Sequence, residues 1–178
     1  SIKPGSIVNN KILNEDLNAI YASGWFSGVK INSQDGPLGV RLIVSVVPNP
    51  ILKKVEINPT NLVIPNQTVE DVFKNSYGTT LNLNEFQNKI DIIKNFYETS
   101  GFSLARIKGP NRISDDGIVT LDVAEGIISD IEFRFPGSDG DSFIDGKPRK
   151  GKTKDWVIKR EMKTQPGTLF NRKILEAD

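Results

Sequence analysis

One twelve-residue segment occurs twice in this chain, and it limits the possible folds more than any bulk property does. Residues 5–16 read G-S-I-V-N-N-K-I-L-N-E-D and residues 167–178 read G-T-L-F-N-R-K-I-L-E-A-D, identical at six positions and conservatively changed at three. A weaker copy begins at Gly78 with G-T-T-L-N. Similarity at a recurring spacing requires each copy to place the same local structure in the same context. Asn9, Asn82 and Asn171 each lie four residues after the glycine. An asparagine oxygen can accept one of the orphan N–H groups of a first helical turn, so the copies predict three helix entrances of one kind.

The segments downstream also match. The first helix is predicted to close at Gly24, before Trp25-Phe26, and the second at Gly101, before Phe102. Glycine there supplies the left-handed residue that ends a helix. The aromatic residues that follow are read as core side chains at a helix–sheet junction rather than as a docking surface. The second helix is longer by four residues, about one turn, which preserves its apolar stripe of Leu83, Phe86, Ile90, Ile93 and Phe96-Tyr97. A hairpin should follow each helix. Val29-Lys30-Ile31 leads through Asp35-Gly36-Pro37 to 40–47, and 104–108 leads through Asp115-Asp116-Gly117 to 118–123. The segments L-K-K-V-E-I (52–57) and I-S-D-I-E-F (128–133) alternate alike, each as a strand opening a new unit.

The repeating unit is therefore strand, short helix, long helix, strand, strand. Residues 51–126 form a complete copy, with its short helix at about 68–75. Residues 1–50 hold the second half of a first copy. Residues 127–178 hold the first half of a third, with an insertion at 136–154. The junctions Val47-Pro48-Asn49-Pro50 and Ala124-Glu125-Gly126 are short and stiff.

Composition removes several function classes. The chain has no cysteine and no histidine, so it lacks thiolate chemistry, the commonest general base and the commonest metal ligand. Nothing assembles a carboxylate pair or a Ser/Lys dyad, and no enzyme is expected. A formal net charge of +1 provides no field for nucleic acid. Asp139, Asp141 and Asp145 suggest calcium, but a helix-loop-helix site needs Gly at the sixth position and a carboxylate at the twelfth. Ile144 and Lys150 stand there instead, so neither metal nor cofactor is expected.

A β-α-α-β-β repeat with Pro-Gly before the long helix, Gly-aromatic after it and a Pro-Asn-Pro junction resembles the POTRA (polypeptide-transport-associated) domains. It is most similar to the arrays that precede the membrane barrel of outer-membrane assembly proteins of the BamA and chloroplast-translocon-channel type. The V-P-N-P junction and the segment G-K-T-K-D-W-V-I (151–158) resemble the cyanobacterial three-domain arrays in particular. The resemblance implies an α+β fold of tandem repeats, each a mixed three-stranded sheet covered on one face by two helices. The last strand would be central and the middle strand an edge, placing edges at 27–32 and 103–108.

It also implies a location facing the periplasm or plastid intermembrane space, with a C-terminal membrane barrel in the same protein. Its partners would be unfolded outer-membrane β-barrel proteins or translocating polypeptides, with accessory proteins beside them. The expected contact is β-augmentation, carried by Val29, Lys30 and Ile31 and by Ser103, Leu104, Ala105, Arg106 and Ile107. The alternative is that these strands only complete their sheets, with Lys30 and Arg106 as protective edge charges. Lys147, Arg149, Lys150 and Lys152 in the insertion are candidates for lipid, barrel or acidic-partner contact, set against a plain solvated hairpin loop. Rival functions are a two-partner secretion transporter and a ring-building domain of a secretion channel. The cut halves at either end also leave open completion of one molecule's first unit by another's last.

Overall fold

A computed structural model describes residues 5, 7, 9–37, 39–58, 63–109, 113–144 and 146–178. The chain forms two compact units, one of residues 1–93 with 107–122 and one of 94–106 with 123–178.

In the first unit, Asn9 caps α1 (Asn10–Ala22), its side-chain oxygen accepting from the Lys11 amide at 2.9 Å. The helix packs on a long hairpin, β1 (Phe26–Gly36) against β2 (Gly39–Pro48). Their antiparallel register runs from Gly28↔Val47 to Gly36↔Gly39, with one irregularity between Phe26 and Gly28. Opposed residues share a face, so Val46 and Val44 lie on the same side as their partners Val29 and Ile31. Trp25 does not enter the core as expected: it is 40% exposed, while its carbonyl accepts from the Asn49 amide.

The complete repeat follows. β3 (Lys54–Asn58), α2 (Asn66–Phe73, continued by a 3₁₀ turn at Lys74–Ser76), α3 (Leu83–Thr99), β4 (Arg106–Lys108) and β5 (Ile118–Ala124) come in the predicted order. The sheet order is β3-β5-β4, so the last strand is central and the middle strand is an edge. β5 pairs with β3 in parallel, Lys54↔Ile118 through Asn58↔Asp122. Alternate residues Val119, Leu121 and Val123 of β5 are buried, as period two requires of a sheet with one covered face. Val69 and Phe73 of α2 and Phe86, Ile90 and Ile93 of α3 are buried as well, the Phe73 and Phe86 rings 5.1 Å apart. Val44, on the helix-facing side of β2, is 49% exposed, whereas Leu121 is 0% exposed. No short helix covers β2 among the described residues.

In the second unit, Tyr97 is buried and donates to the Glu125 carboxylate at 2.9 Å. Residues 128–133 were expected to form a strand, but among the described residues they pair in no ladder, and the isolated bridge Ile127↔Leu169 precedes them. An extended segment becomes a strand by finding a partner, and its counterpart β3 has β5. The insertion folds as a small hairpin, β6 (Phe143–Ile144) against β7 (Lys147–Pro148). Then come α4 (Asp155–Glu161) and α5 (Arg172–Ala177), the latter capped by Asn171. Among the described residues no helix is long and apolar enough to cross a membrane.

Candidate functional site: strand edges and repeat junctions

β1 is the long edge. It pairs with β2 along one side only, and no third strand joins this two-stranded sheet among the described residues. Backbone polar groups alternate sides along an antiparallel strand. The Val29 amide points away from β2, because it donates to the Tyr21 hydroxyl at 3.1 Å. The outward groups therefore belong to odd-numbered residues, and those of Ile31, Ser33 and Asp35 have no partner among the described residues. Of the expected contact residues, Val29 is in the core with its amide occupied, Lys30 turns its backbone toward β2, and Ile31 keeps an outward amide.

The second edge is shorter than expected. β4 holds only Arg106, Ile107 and Lys108. Ser103 and Leu104 form a turn that Ala105 closes by donating to the Phe102 carbonyl at 3.0 Å. The local reason is Gly126. Its φ is +81°, and a Cβ there would lie 2.9 Å from the Leu104 Cβ, so Leu104 packs on a bare backbone instead of extending.

The expected cations of the insertion also separate. Arg149 is no outward contact, because its guanidinium pairs with Asp139 at 2.5 Å. Lys147, Lys150 and Lys152 are exposed and form no ion pair among the described residues. Asp145 lies outside the described residues. No cluster of carboxylates fit for a metal occurs among those described.

The helix-entrance asparagines do more than cap. In the first unit the Asn82 oxygen accepts from the Asn84 and Glu85 amides, while its nitrogen donates to the Ser23 carbonyl at 3.0 Å. The Leu83 amide donates to Gly24, and the Leu81 amide to Pro50. The second unit repeats this pattern. The Asn171 oxygen accepts from Lys173 and Ile174, its nitrogen donates to the Ser100 carbonyl at 3.2 Å, Arg172 donates to Gly101, and Phe170 donates to Gly126. Each asparagine thus starts its own helix and holds the closing turn of the helix one repeat earlier. Buried Asn49 adds a tie at the first junction, its nitrogen donating to the carbonyls of Gly24 at 2.8 Å and Leu81 at 2.9 Å.

The order β3-β5-β4 and two matching junctions describe a tandem array, and comparison with known proteins places it. Residues 50–126 match the POTRA family described as "Surface antigen variable number repeat". The solved structure of POTRA domains 1–3 of the periplasmic domain of Omp85 from Anabaena is 39% identical. The match covers 99% of this chain and 71% of that one, with a TM-score of 0.86. The chain belongs to the POTRA domains of the Omp85 family. The N-terminal domain of Omp85 from Thermosynechococcus elongatus agrees at 40% identity, 99% and 72% coverage and a TM-score of 0.82. Outer envelope protein 80 of rice chloroplasts is 26% identical over 99% of this chain. The corresponding Arabidopsis protein is 27% identical over 95%. This POTRA chain spans about a quarter of the length of these two curated relatives (25% and 22%).

Proposed function

We propose that these POTRA repeats are a non-catalytic scaffold that holds extended polypeptide for an outer-membrane assembly or translocation protein. They would face the periplasm or the plastid intermembrane space, with a membrane barrel in the same protein. One observation carries the reading: β1 offers outward amides and carbonyls at Ile31, Ser33 and Asp35 along an eleven-residue edge. A client strand laid there pairs by main chain, so it is read for extension rather than sequence.

Magnitudes favour a loose hold. Four to six hydrogen bonds at about 0.5–1.5 kcal/mol each work against about 2–5 kcal/mol for ordering the client. The surplus is small, as suits a module that releases what it holds. β4, with three residues, offers fewer groups and ranks second.

An amide NMR titration with a peptide copying the last strand of an outer-membrane barrel protein tests this. Shifts should concentrate on 31–35 and be weaker at 106–108. If saturating peptide moved neither edge, capture at these strands would be rejected.

A further inference from the structure

The insertion at 136–154 carries an inference that does not depend on strand capture. Its hairpin is built by specific bonds. The Gly137 amide donates to the Asp141 carbonyl at 2.9 Å, and the Asp141 carboxylate accepts from the Phe143 amide at 3.0 Å. The Asp139–Arg149 pair closes the base. A Cβ at Gly137 would strike Arg149, and one at Gly151 would strike the Phe135 ring.

This frame presents two apolar side chains: Ile144 is 53% exposed, and Phe143 is 38% exposed with the Arg134 guanidinium 5.6 Å from its ring centroid. After Asp145-Gly146, residues 147–154 read K-P-R-K-G-K-T-K, with five cations and no carboxylate. With Arg149 neutralised by Asp139, Lys147, Lys150, Lys152 and Lys154 remain exposed without an ion pair among the described residues. A complementary surface must be apolar and anionic within a few ångströms. An acidic peptide satisfies the lysines and leaves the apolar pair unused. The interface of an anionic bilayer satisfies both, since acyl chains begin directly beneath the headgroup phosphates.

We propose that this hairpin is a membrane-docking tip, with Phe143 and Ile144 entering an anionic leaflet and the four lysines engaging its phosphates. The chain contains no cysteine, so Ile144→Cys accepts a single environment-sensitive fluorophore. The labelled protein should bind phosphatidylglycerol-containing vesicles with a blue shift and ignore phosphatidylcholine vesicles. Each lysine replaced by Gln should lower partitioning about fivefold, and Phe143→Ser in the unlabelled protein should lower it further without changing the far-UV spectrum. If a lysine variant fails to fold, the salt dependence of wild-type binding decides instead. Absence of binding to anionic vesicles, binding with the fluorophore still in water, or binding indifferent to salt would each overturn the proposal. A label that responds to polyglutamate and not to vesicles would assign the surface to an acidic protein instead.

Discussion

The Asn82 side-chain nitrogen donates to the Ser23 carbonyl at 3.0 Å while its oxygen caps the next helix. A single carboxamide thus satisfies orphan groups at the end of one helix and the start of another, and it leaves little space nearby. A Cβ on Gly24, at φ +79°, would stand 2.8 Å from the Asn82 oxygen. Gly78, at φ +78°, has open space around it. Gly78→Ala should therefore cost only the left-handed backbone term, about 1–2 kcal/mol. Gly24→Ala should cost at least about 1 kcal/mol more through overpacking. Urea melts of the two variants check this, and equal losses would mean that Asn82 moves aside freely.

Asn49 is buried with its nitrogen shared between the Gly24 and Leu81 carbonyls. Asn49→Ala leaves the Leu81 carbonyl without that donor, while the Gly24 carbonyl still accepts from the Leu83 amide, and should cost about 1–3 kcal/mol for the one unsatisfied group. Asn49→Asp should be worse at neutral pH, because a carboxylate would face two carbonyl oxygens. Its folded pKa would be raised, so this variant should recover stability as pH falls and the protonated acid donates again. A melt at pH 7 and one near pH 4 separate the two variants.

The last strands of successive repeats should respond unequally. Leu121 is fully enclosed, and Leu121→Ala should cost about 2–5 kcal/mol through the cavity it leaves. Val44→Ala, on a face left half open, should cost under about 1 kcal/mol. Equal costs would indicate that another segment covers β2 in solution.

Ser33→Pro removes an outward amide from β1 without touching its ladder to β2, which edge strands tolerate. Peptide-induced NMR shifts on 31–35 should fall sharply while the melting temperature changes little. Loss of the fold itself would show that the Ser33 amide faces β2 and that the assignment of sides is reversed.

Asp116 turns the chain into β5, accepting from the Ile118 amide at 3.1 Å. The Ser114 hydroxyl and then this amide hold its carboxyl below the ordinary aspartate value. A depressed folded pKa contributes stability that is present above the ordinary value and is lost as pH falls through the folded one. A carboxyl NMR titration should place the Asp116 midpoint below the ordinary aspartate value, and Ser114→Ala should move it upward.

Much of this arrangement was legible in the residues. Three asparagines at one offset from a glycine mark the three helix entrances, and Asp115-Asp116 turns the chain toward β5, whereas Asp35 and Gly36 continue β1 as a pair of strand residues. The second role of Asn82 and Asn171 was not legible, because their nitrogens reach carbonyls 59 and 71 residues away. The apolar segment at Leu104 suggested a longer strand, yet it turns because Gly126 leaves room for Leu104 to pack. Residues 128–133 alternate as a strand should, but periodicity describes a face and cannot supply the partner. Arg149 looked like its lysine neighbours until the fold brought Asp139 to it.

The parallel pairing of β3 with β5 has a consequence for how the chain is made. Asn58 and Asp122 stand side by side across 64 residues of sequence, whereas β1 and β2 meet through a tight turn. Hairpins close in microseconds, and distant pairings wait on the entropy of closing a long loop. On a ribosome, β3 must emerge and stay unpaired until the whole of α2, α3, β4 and β5 has followed it. The β3–β5 pairing is therefore the last contact of the central repeat to form, and during that interval β3 is itself an extended polypeptide in search of an edge.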